Sequence, residues 1–152
     1  MLEHVAQVGY DPTAAEQVRG RLAGRSWRRC VLTGKDRLPP AEVKYLWHVV
    51  TRQEWPRGTT LQDYVDGIHQ LILDPTSGMF TNRYQGAWGL GIIRESRELR
   101  GPRGFEWVLV QYRLGWGHWT TAFQPELGLR ELDEPEWSDI RWLRPPTRSK
   151  EP

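Results

Sequence analysis

The chain has 152 residues, a formal net charge of +2, 38% hydrophobic and 26% charged side chains. That length suits one domain, and nine Trp, five Tyr and three Phe supply bulk for a core. Disorder throughout is excluded, as is a membrane-spanning helix, because no run of ~18 apolar residues occurs.

Asp11-Pro12-Thr13 predicts a helix start, with Asp at the cap and Pro at the first position. Arg19, Arg21, Arg25, Arg28 and Arg29 follow, and Pro39-Pro40 closes this basic region. Ala41 to Val50 predicts a short helix or an extended piece. Residues 59–73 carry the clearest helical pattern. Leu61, Val65, Ile68 and Ile72 fall on one face, Thr60 with Asp63 forms a capping box, and Asp74-Pro75 ends the run. The apolar period then drops to two. Met79–Tyr84, Trp88–Arg94, Phe105–Leu114 and His118–Gln124 read as strands separated by glycine-bearing turns.

The expected fold is therefore α+β: N-terminal helices packed on one face of an antiparallel sheet of about four strands. Its other face is expected to stay open for a ligand or partner. Residues 1–144 are read as a single domain. It comprises a helical, basic region 1–40, a helix-plus-sheet core 41–124 and an acidic segment 125–144. Residues 145–152 are expected to form a flexible tail.

Cys30 is the only cysteine, which excludes an intramolecular disulfide and any multi-cysteine metal cluster. Met1-Leu2-Glu3-His4 lacks the basic and apolar regions of a secretory signal, so a cytoplasmic setting is expected. Eighteen of the 21 basic residues are arginine. Arginine forks suit bidentate phosphate contacts, although GC-rich codon usage also produces such a bias.

Two places concentrate chemistry. A two-residue turn at Gly115-Trp116 would pair Arg113 with His118, Tyr112 with Trp119, Gln111 with Thr120, Val110 with Thr121 and Val108 with Phe123. Alternation then puts Arg113, His118, Gln111 and Thr120 on the face away from the helices, against a core face of Tyr112, Trp119, Val110, Thr121, Val108 and Phe123. The bland alternative is an ordinary solvated face. The second place is Lys44, His48 and Arg52, spaced to share one helix face. Two flanking cations lower an imidazole pKa and leave a neutral base near neutrality. The bland alternative there is a histidine packed against Trp47. No metal-ligand spacing and no phosphate-cradling loop is present, so neither a metal nor a cofactor is expected. Histidine, arginine, lysine and threonine without a metal suit RNA cleavage, in which the substrate's own 2′-hydroxyl is the nucleophile.

Three pieces carry a family resemblance: His48-Val49-Val50-Thr51-Arg52, the helix ending Ile68 to Pro75, and Trp107–Arg113 followed by Trp119–Phe123. Together they resemble the metal-independent ribonuclease superfamily that groups barnase, EndoU, colicin-type tRNases and RelE-like toxins. The resemblance covers Leu46 to Phe123. It implies helices against an antiparallel sheet, with His48 and Arg52 in the histidine-containing opening. Thr120 or Thr121 would be the final-strand threonine.

The resulting expectation is a metal-independent endoribonuclease, of the kind found as toxins in toxin–antitoxin, phage or defence systems. His48, His118, Arg113 and Thr120 would be catalytic, and Lys44, Arg52, Gln111 and Thr121 would bind substrate. Its partners would be RNA and a neutralising antitoxin or immunity protein, with no membrane involved. The alternative is a non-catalytic Trp- and Arg-rich module that binds a protein or a nucleic acid.

Overall fold

The structure, a computed structural model, describes residues 40–115 and 118–148. The helix expected after Asp11 and the arginines of positions 19–29 lie outside the described residues. Helix α1 (Pro40–Lys44) runs directly into a π-helix over Tyr45–Thr51, and α2 spans Leu61–Leu73. Five strands follow: β1 (Gly78–Tyr84), β2 (Ala87–Glu95), β3 (Trp107–Arg113), β4 (Trp119–Phe123) and β5 (Trp137–Arg144). They form one antiparallel sheet in the order β4-β3-β2-β1-β5. The α+β class is as expected, with one more strand. Among the described residues, no helix is long and apolar enough to cross a membrane.

Helix α2 forms where the pattern placed it. The Thr60 hydroxyl accepts from the Asp63 backbone N–H (3.0 Å), and the Asp63 carboxylate accepts from the Thr60 N–H (3.1 Å). Its buried face, Leu61, Tyr64, Ile68 and Leu71, packs with Ile92, Val108, Val110, Trp119 and Ala122 of the sheet and with Trp55. The Tyr64 hydroxyl donates to the Ala122 carbonyl at 2.5 Å and ties the helix to β4. A tyrosine buried this deeply needs such a partner for its O–H.

β5 was hidden in the sequence by irregular pairing. Its register against β1 shifts twice, and Asp139 takes a positive φ of 52°, so its side chains do not alternate cleanly. Of the tail expected to be flexible, residues 149–152 lie outside the described residues, and the part before them contacts the loop ahead of β1. Pro146 sits against Gly78, and the Thr147 N–H donates to the Thr76 carbonyl at 3.0 Å.

The sheet's second face is not open, as the sequence had suggested. Phe80, Ile93, Leu109, Leu132 and Trp137 form a second buried cluster, flanked by Trp107, Phe123, Leu129 and Ile140. A 3₁₀ turn over Gly128–Asp133 supplies Leu129 and Leu132. The chain predicted as an acidic segment therefore folds back to cover this face.

The β3–β4 register corrects the expected hairpin. Tyr112 does face Trp119, but Thr120 is then an extra residue. Beyond it Gln111 faces Thr121, Val110 faces Ala122, and Leu109 faces Phe123. The bulge exchanges the faces of everything after it. Ala122 joins the helix-side core, while Phe123 joins the second cluster instead of packing with Val108 and Val110.

Candidate functional site

Among the described residues, buried ionisable side chains gather around the π-helix. Val49, Val50 and Thr51 are β-branched and crowd an ordinary α-turn. The wider turn accommodates them: the Arg52 N–H reaches the Trp47 carbonyl (2.8 Å), and the Thr51 hydroxyl donates to the Leu46 carbonyl (2.8 Å). Gln53 then adopts φ 54°, a left-handed conformation that costs free energy in a non-glycine residue. This reversal carries Glu54 back beneath His48.

Glu54 is 1% exposed and His48 8%. His48 Nδ1 lies 2.9 Å from Glu54 Oε2, and Arg52 Nε donates to the same oxygen at 2.8 Å. The other carboxylate oxygen, Oε1, accepts the Gln124 backbone N–H at 2.7 Å. A carboxylate holding these donors accepts from Nδ1–H as well, which leaves Nε2 as the lone-pair nitrogen of the imidazole. The His48 ring stacks on Phe123 with centroids 5.6 Å apart. Arg52 also lies 5.8 Å from the centre of the Trp47 ring. Burial lowers the His48 pKa; the Glu54 hydrogen bond and charge oppose that, and Lys44 and Arg52 add to it, with a net lowering. Burial also lowers the pKa of Lys44.

Lys44, His48 and Arg52 are thus gathered in one neighbourhood, as their spacing suggested. His118 and Arg113 are not part of it. His48 packs on Phe123, whereas His118 precedes the other end of β4. The two ends of the five-residue β4 lie roughly 16 Å apart. Arg113 ends β3 at that same far end, opposite Gly89, and both it and His118 are exposed. Thr120 occupies the bulge, where its hydroxyl donates to the Gln111 carbonyl at 3.1 Å. Thr121 and Gln111 are buried and face each other on the second face, two residues from Phe123.

Gln111 is also engaged across the sheet. Its Nε2 donates to Asn82 Oδ1 (2.7 Å), and Asn82 Nδ2 donates back to its Oε1 (3.1 Å). These residues belong to β3 and β1, with β2 between them. The bridge passes over Gly89, where a Cβ would collide with the Gln111 amide.

Glu54, Asn82 and Gln124 were missed in the sequence, and Phe123 was read only as a core residue, without its contact to His48. Glu54 lies six residues from His48, a spacing that fits neither helix nor strand, because the Gln53 reversal creates the contact. Among the described residues, no three of His, Cys, Asp and Glu are grouped so as to hold a metal ion. Comparison with protein-family models, curated proteins and solved structures gives no significant match.

Proposed function

We propose that the protein is a metal-independent endoribonuclease in which His48 is the general base. The supporting observation is the buried His48–Glu54 pair at 2.9 Å, set on a π-helix and a left-handed turn. π-Turns and strained residues gather at functional sites. In this reading Glu54 fixes the tautomer and Nε2 takes the proton of the ribose 2′-hydroxyl. The 2′-oxygen then attacks phosphorus, the 5′-oxygen leaves, and a 2′,3′-cyclic phosphate forms. Arg52 and Lys44 stand beside the imidazole to balance charge on the phosphate. With His118 at the far end of β4, the leaving oxygen takes its proton from water. As a toxin-type nuclease the protein would be held in check by an antitoxin or immunity protein.

Removing a general base costs about 10²–10⁴ in rate. His48→Ala is expected to lose that much RNA cleavage, whereas His118→Ala retains the parent rate. Circular dichroism checks that both remain folded. Chelator leaves the rate unchanged, and expression of the parent but not of His48→Ala slows bacterial growth. A purified parent protein that cleaves no RNA, with or without added metal, overturns this reading in favour of a non-catalytic binding module.

A further inference from the structure

The helix-side face of the sheet extends beyond the part that α2 packs upon. Following the alternation from Met79, Ile92 and Val110, this extension consists of Thr81 and Arg83 of β1, Trp88 and Leu90 of β2, and Tyr112 of β3. Arg141 of β5 faces Thr81 and extends it to the sheet edge. Trp88 is 50% exposed and Arg141 is exposed, while Thr81, Leu90 and Tyr112 are half-buried. The Arg83 guanidinium lies 5.2 Å from the centre of the Trp88 ring and braces it. Its Nε is buried without a hydrogen-bond partner among the described residues.

We infer that this patch is a binding platform for single-stranded RNA. Trp88 and Tyr112 present rings on which unpaired bases stack, and Arg83 and Arg141 flank them with charge for phosphates. Stacking platforms edged with cations are how sheets hold single strands. The patch runs roughly 14 Å from β5 to β3, across four adjacent strands. Asp139 lies 4.0 Å from Arg83, but both side chains are exposed, and such pairs are weak enough to yield to a phosphate. A duplex buries its bases and offers Trp88 nothing to stack on. The choice of RNA over DNA rests on the ribonuclease reading; the platform itself does not.

The test uses the full chain and a fluorescein-labelled 2′-O-methyl oligouridylate, which has no free 2′-hydroxyl and so resists cleavage. Fluorescence anisotropy should show binding that weakens about tenfold or more in Trp88→Ala. Arg141→Ala should weaken it too and flatten its salt dependence. Both variants should melt at the parent temperature. Cleavage of a dinucleotide at His48, which stacks on Phe123 at the other end of β4 from the Tyr112–Trp119 pair, should be unchanged in both. The inference is overturned if Trp88→Ala binds as tightly as the parent, or if duplex RNA binds equally well. Equal binding of single-stranded DNA overturns the choice of RNA. If the parent cleaves neither the dinucleotide nor longer RNA yet binds the oligouridylate through Trp88, the ribonuclease reading fails and the platform stands.

Discussion

His48 is surrounded by groups that pull its proton affinity in opposite directions. Burial, Lys44 and Arg52 disfavour the cation, while Glu54 favours it, and the balance lies below the ordinary 6.5. A general base must be neutral, and its neutral fraction falls only as pH drops through its own pKa. The acid limb of kcat/KM is therefore expected below pH 6.5; a limb at or above that value would contradict the assignment. Folding responds with the same sign. Below pH 6.5 the unfolded chain takes up a proton that the native imidazole still refuses, so acidification destabilises the protein. The cationic neighbours were legible because Lys44, His48 and Arg52 repeat at helical spacing. Glu54 was not, since no periodicity describes the turn that delivers it.

At the scale of elements, α2 was readable to within its first turn because a cap, an apolar stripe and a proline stop all agreed. The capping box makes the next prediction. Thr60→Ala removes the acceptor for the Asp63 N–H, and about 1 kcal/mol of stability should be lost in urea unfolding with an unchanged m-value. The π-helix was not readable, because Tyr45–Thr51 would fit an α-pattern equally well. Nor was the bulge at Thr120. Its neighbours Trp119 and Thr121 are both plausible strand residues, and a single inserted position exchanges the faces beyond it. Every residue expected on the catalytic face of β4 depended on that one register.

At the largest scale the described residues place the sheet between two apolar layers, and only one was visible in the sequence. The helix-side layer follows from periodicity in α2 and β3. The other depends on Leu129, Leu132 and Trp137, scattered through a segment whose acidic charge dominated its appearance. Close packing of this second layer can be tested at Gly91. A Cβ there would run into the Phe80 ring, which is fully buried. Gly91→Ala should therefore cost about 1–3 kcal/mol in denaturant unfolding. Stability equal to the parent would mean that this layer is loosely assembled.

The amide bridge from Asn82 to Gln111 has a further consequence for how the strands find their alignment. Backbone ladders tolerate sliding, because every residue offers the same N–H and C=O. The bridge does not: it needs a residue without a side chain beneath it, and Gly89 meets that need. Sliding β2 by one position would bring Trp88 or Leu90 under the amides, and neither has room there. Strands β1 and β3, which never pair directly, thereby act together as a vernier for the strand between them.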